Sequence, residues 1–176
     1  KSLQNNKKPK ELDLKKFFKL DKKISELNRI KVLKIAEEIK ELIVKQKIDF
    51  VGFKLWIGEG FIGSIIIAEE LRKTFPKLYI FAGGPQVDWF GKRIYEITNV
   101  FDALSYGEGE ETIISLANLV EGKEKIDNIA NIIYKKNGAI ITNKEKRILN
   151  LNNLPIPIYN KKIYLDSGKN QKIKIL

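Results

Sequence analysis

The sequence contains no cysteine, no histidine and no methionine. Without cysteine there is no disulfide framework, no thiol nucleophile and no ligand for an iron–sulfur cluster within these residues. Without histidine there is neither the usual general base nor the commonest transition-metal ligand. No apolar run reaches the roughly 18 residues that a membrane-spanning helix needs. The N-terminus is polar and lysine-rich, with no apolar signal segment behind it, so a soluble cytoplasmic protein is expected. The chain begins at Lys1 rather than methionine, which suggests a piece of something longer.

What is present is enough for a core. The 176 residues are 43% hydrophobic and carry a net charge of +11. Residues 1–47 hold 15 Lys/Arg against 7 Asp/Glu, residues 161–176 hold 5 against 1, and the stretch 48–160 is near neutral with 13 against 14. The surplus sits at the ends rather than on one face of a domain. That pattern reads as solvated basic arms and does not point to nucleic acid.

Residues 1–29 read as a basic N-terminal arm with a short helical patch from Leu12 to Leu20. From Ile30 to Lys47 the spacing predicts a helix, with Val32, Ile35, Ala36, Ile39, Leu42 and Ile43 on one face. "IDFVGFKLW" reads as a buried strand, residues 62–74 as a second helix, "LYIFAGG" as a strand, "WFGKRIYEI" as a short helix and "FDALSYG" as a third strand. "EETIISLANLVEG" is a further helix closed by Gly122. Alternating strands and helices predict a doubly wound α/β fold of the Rossmann or flavodoxin type, built on a parallel sheet. The domain is expected over 30–125. Residues 126–160 read as a hairpin turning at Asn137-Gly138, then a proline-containing linker.

Three strands end in glycine-bearing segments, at "WIGEG", "GGP" and "YGEGE". In an open parallel sheet ligands bind beyond the carboxyl ends of the strands. Glycine exposes bare backbone there, and the helices that follow aim their N-termini at the same rim. Candidate binding residues are therefore Lys54, Trp56, Gly58, Gly83, Gly84, Pro85, Gln86, Tyr106, Gly107, Glu108 and Gly109. Glu108, Glu110 and Glu111 read better as partners of a helix dipole than as an acid/base pair. Trp56 and Trp89 are placed either to stack on a flat ligand or to pack in the core.

The ordered series "VGFKLW", "FAGGPQV", "FDALSYGEGEETI", "IIYKKNGAIITN" and "LNNLPIPIY" resembles the cobalamin-binding-type domain that precedes the catalytic barrel of radical S-adenosylmethionine enzymes. The resemblance covers about residues 30–160. It implies a domain that binds and orients cobalamin, with Gly83, Gly84 and Pro85 near the nucleotide tail. It further implies a downstream radical barrel as partner in the same parent chain. That barrel would carry a 4Fe–4S cluster and S-adenosylmethionine, bound by residues beyond this chain. Residues 161–176 would begin the connection to it. The parent reaction would be a methyl transfer or an oxidative cyclisation, and these residues alone would not catalyse it.

The sequence departs from the family in three ways. The D-x-H-x-x-G motif is absent, so no histidine ligates cobalt from below. Lys54 stands where a small hydroxyl residue is common, and there it either contacts a phosphate or blocks the tail channel. A first strand ahead of the helix at 30–47 is not visible. Two other readings stay open: a scaffold that binds no corrin, and a flavin- or nucleotide-binding flavodoxin-like domain.

Overall fold

A computed structural model describes residues 11–150, 152 and 154–156. The readings made for residues 1–10, for Tyr159 and for 161–176 lie outside the described residues. The chain divides into two compact units, Lys1–Lys146 and Arg147–Leu176. In the second unit the Asn152 N–H donates to Asn150 Oδ1 at 3.0 Å, a local turn of the backbone.

The first unit is α/β. Helix α1 (Glu11–Gln46) leads into β1 (Phe50–Lys54), α2 (Glu59–Thr74) and β2 (Tyr79–Gly83). Two short helices, α3 (Pro85–Phe90) and α4 (Ile94–Ile97), then flank a 3-10 turn and precede β3 (Ala103–Ser105). Helix α5 (Glu110–Val120) and the strands β4 (Ile132–Lys136) and β5 (Ala139–Thr142) complete it. The five strands form one sheet in the order β1-β2-β3-β4-β5. β1, β2 and β3 are mutually parallel, while β4 and β5 join antiparallel. This is the expected Rossmann-like architecture. The hairpin continues the sheet beside β3, and the β3–β4 register pairs Leu104 with Ile133.

Side chains alternate across the strands and build two cores. One holds Leu55, Ile80, Ala82 and Leu104 against Ile43 of α1, Leu71 of α2, Val87 of α3 and Ile94 of α4. The opposite face holds Phe81, Ala103, Ile132 and Tyr134 against Leu116 of α5. Helices thus cover both faces, but unequally: α5 is alone on its side among the described helices. The hairpin turn is the two-residue kind that Asn-Gly predicts, with Asn137 at φ 52 and Gly138 at φ 81.

Two expectations change. Residues 11–29 are the first half of α1, not an arm with a short helical patch. No glycine or proline interrupts the sequence from Glu11 to Gln46, so the helix continues past the point where its packed stripe ends. The single apolar face expected for 30–47 also splits. Ala36 and Ile43 are buried, whereas Ile35 is 45% and Leu42 50% exposed. At 100° per residue, positions 35 and 42 rotate away from the stripe that meets α2.

β1 stands at the edge of the sheet, and no described strand pairs with its outer side. No described helix is long and apolar enough to cross a membrane.

Candidate functional site

The carboxyl ends of β1, β2 and β3 lie side by side, with Lys54 in register with Gly83 and Gly83 with Ser105. A cavity of about 650 Å³ opens on the α5 side of these strand ends. Its floor is Gly52 and Lys54 of β1, Phe81 and Gly83 of β2, and Ser105 of β3. Its wall is one side of α5, where Glu110, Ile113 and Leu116 recur at three-residue steps. Gly107 and Gly109, from the loop entering α5, close one end. The cavity exists because α5 covers β3 and β4 while the same face of β1 and β2 has no described helix over it.

Glycine is needed at specific places in this floor. A Cβ on Gly83 would come within 3.3 Å of the Ser105 carbonyl oxygen. One on Gly84 would meet Lys54 Cγ at 3.1 Å and the Leu55 carbonyl oxygen at 3.3 Å, and Gly84 also has a φ of +98°. The end of β2 and the turn that follows it therefore meet the cavity as bare backbone. The two loops at its far side are tied together. The Gly107 N–H donates to Asp88 Oδ1 at 2.8 Å, joining the first α5 loop to α3. Lys54 Nζ lies 5.1 Å from the centre of the Trp56 ring, in cation–π contact.

Of the eleven candidate residues, Lys54, Gly83, Gly84, Gly107 and Gly109 line the cavity. Trp56, Gly58, Pro85, Gln86, Tyr106 and Glu108 do not. The reason is the direction of the crossovers. The β1–α2 and β2–α3 connections lead to helices on the opposite face, so Pro85 and Gln86, which open α3, turn away with it, while Trp56 is 53% exposed and stands against Lys54 outside the lining. Gln86 is buried, and its backbone N–H donates to the Leu55 carbonyl at 3.4 Å. Tyr106 points to the hairpin side, where its hydroxyl donates to the Asn143 carbonyl at 2.5 Å. Burial, then the nearby Glu145 carboxylate, raises the Tyr106 pKa. The Glu108 carbonyl accepts from Asn131 Nδ2 at 3.3 Å. Trp89 is 72% exposed and takes no part in either core. Gly52, Phe53, Phe81, Ala82, Ser105, Glu110, Ile113 and Leu116 line the cavity without having been anticipated. Strand alternation places Gly52 on the same side as Lys54 and would have found it.

The expected ledge is therefore not a rim shared by three loops. It is a pocket on one face of the sheet, fed by two of them. Among the described residues no group of three or more His, Cys, Asp or Glu is arranged to hold a metal ion.

No protein-family profile matches the sequence, and no curated protein matches it. Among solved structures, the chain is similar to the cobalamin-dependent S-adenosylmethionine radical enzyme OxsB, determined with aqua-cobalamin and S-adenosylmethionine bound. The TM-score is 0.53 at 17% identity, over 64% of this chain. The match spans 16% of the length of that structure. The likeness shows a shared fold.

Proposed function

We propose that this chain is a cobalamin-binding-type accessory domain, in which the cavity between α5 and the ends of β1–β3 receives the cofactor's nucleotide tail. The single observation that carries this reading is the Gly83–Gly84 floor, where a side chain at either position would run into a neighbouring strand. Such a floor suits a flat or narrow group lying directly on backbone. The residues present fit that use. Gly52, Gly83 and Ser105 leave the floor low, Ile113 and Leu116 offer apolar contact, and Lys54 supplies a cation for a phosphate. A bound corrinoid would supply the reactive chemistry of the parent protein. This chain's residues would bind and orient it without a histidine beneath the cobalt. The parent protein is read as a radical S-adenosylmethionine enzyme whose barrel partners this domain.

The test is retention of the cofactor. Purified protein is mixed with hydroxocobalamin at tens of micromolar, desalted and examined by visible absorbance. Retained corrin absorbance that is lost in Gly84→Val, with the far-ultraviolet circular dichroism unchanged, supports the reading. No retention by the wild-type protein opposes it.

A second reading rests on the Lys54–Trp56 contact. There the lysine occupies the mouth, and the domain serves as a scaffold that binds no corrin. In that case Lys54→Ser gains retention that the wild type lacks. Flavin mononucleotide in the same assay tests the flavodoxin-like alternative.

A further inference from the structure

The outer side of α1 carries a pattern that the fold leaves unused. Its inner stripe, built on Ala36 and Ile43, packs into the unit. A second row runs through Phe17, Leu20, Ile24, Leu27, Ile35 and Leu42 at steps of three and four, broken only where the steps fall on Lys31 and Glu38. The six apolar side chains are between 45% and 61% exposed, and Lys31 and Glu38 are exposed as well. Such spacing is the seam of a helix that packs along another helix.

From Ile24 to Lys45 the seam is symmetric about a point just before Ile35, and Phe17 and Leu20 extend past the end of the opposed helix. Leu27 and Leu42 lie equally far to either side of it, and so do Lys31 and Glu38. An antiparallel copy related by a two-fold axis at that point sets each Leu27 against the other copy's Leu42. It also sets each Lys31 against the other copy's Glu38, so both interruptions of the seam become ion pairs. Ile35 meets its own counterpart near the axis. The stem of Lys45 lies along Ile24, with its ammonium free to reach water. A parallel copy in register would instead oppose lysine to lysine and glutamate to glutamate. Charged residues at seam positions fix register and orientation in this way.

We propose that the outer face of α1 is a self-association surface, occupied by α1 of a second copy of this chain lying antiparallel. The charge arrangement selects this occupant over a lipid surface. Asp13 and Asp21 fall within the same apolar arc, where burial among acyl chains would be costly.

The test is the mass of the chain in solution by analytical ultracentrifugation across a concentration series. A dimer is expected. Lys31→Glu and Glu38→Lys each place like charges together twice, and each is expected to raise the dimer dissociation constant by about tenfold or more. The double variant K31E/E38K restores both pairs with their signs exchanged and is expected to recover the dimer. Both positions of change are exposed, so circular dichroism should be the same throughout. A chain that remains monomeric at every concentration overturns the proposal. So does a dimer indifferent to the single reversals, or a monomer that instead sediments with phosphatidylserine vesicles.

Discussion

Lys54 Cγ lies 3.1 Å from the point where a Cβ on Gly84 would stand. The β2–α3 turn and the end of β1 are therefore in contact through glycine's missing side chain. The turn also needs a φ of +98°, which L-residues rarely adopt. Alanine at 84 is expected to cost about 2–4 kcal/mol, from backbone strain and a contact that β1 must move to relieve. Urea unfolding of Gly84→Ala against wild type measures it. A loss within experimental error of zero would mean that the turn rearranges freely. Gly52 is the control. A Cβ there meets nothing within 4 Å, so Gly52→Ala should fold with wild-type stability or better.

Arg72 and Asp102 form a clamp at the amino ends of the strands, opposite the cavity. Arg72 Nη2 donates to Asp102 Oδ2 at 2.6 Å and to the Val100 carbonyl at 3.1 Å. Its Nη1 donates to the carbonyls of Pro76 at 3.0 Å and Leu78 at 2.7 Å. Asp102 Oδ2 also accepts the Ile80 N–H at 2.7 Å. One guanidinium thus joins α2, the loop into β2 and the loop into β3. Arg72→Lys keeps the charge but loses the planar fork. It is expected to cost less than Arg72→Ala, and Asp102→Ala about 2–3 kcal/mol, because the Ile80 donor and a half-buried cation lose their acceptor. Denaturant midpoints give the order. Equal stability of Arg72→Lys and wild type would show that charge alone suffices.

The limits of the sequence reading follow from particular residues. Val32, Ala36, Ile39 and Ile43 made the second half of α1 legible, because a packed stripe imposes its period on the residue types. In the first half, residues 13–27 are exposed. Phe17, Leu20 and Ile24 keep a helical spacing but sit exposed among lysines, and a continuous helix there read as an arm. At the site, Lys54, Gly83, Gly84, Gly107 and Gly109 were legible because strand ends and turn chemistry are local properties. Ile113 and Leu116 were not, because which side of α5 faces the floor depends on how the helix docks. Trp56 and Gly58 sit at a strand end like the others. They follow the last residue of β1 by two and four positions, and where that loop carries them depends on how α2 docks, which no local signal encodes.

Asn131 holds the loop before β4 with its backbone and its amide together. Its φ is 60°, in the left-handed region, and its side chain is buried. Nδ2 donates to the Lys146 carbonyl at 2.8 Å and to the Glu108 carbonyl at 3.3 Å, while Oδ1 accepts the Lys146 N–H at 2.6 Å. The loop that enters α5 is thereby fastened to the chain after β5. Asn131→Gly removes the bonds but suits the backbone, whereas Asn131→Ala removes the bonds and strains it. The alanine variant is expected to be less stable than the glycine variant by about 1 kcal/mol. Thermal melts of the two compare them directly. If glycine proves the worse, the left-handed backbone at position 131 is not what penalises alanine.

Tyr134 makes the stability of the hairpin side depend on high pH. Its ring is buried against α5, and its hydroxyl donates to Asp127 Oδ1 at 2.5 Å. Burial first, and then that hydrogen bond, push the phenol up to about 12 from a usual 10.0. Tyr95, buried on the other face, is raised further, again chiefly by burial. A phenol whose pKa is higher in the folded state stabilises the fold fully below its unfolded value, and this contribution fades as pH rises through the folded one. Stability is therefore expected to be flat with respect to these tyrosines at neutral pH and to fall from about pH 10 toward 12. The rise in near-ultraviolet absorbance that accompanies phenol ionisation, read as a difference from neutral pH, follows the same event. Tyr95 and Tyr134 should ionise late, and Tyr134→Phe should remove one late-titrating group and flatten the loss of stability in that window. If Tyr134→Phe leaves both the late absorbance and the alkaline slope as in wild type, the hydroxyl is not confined between β4 and Asp127.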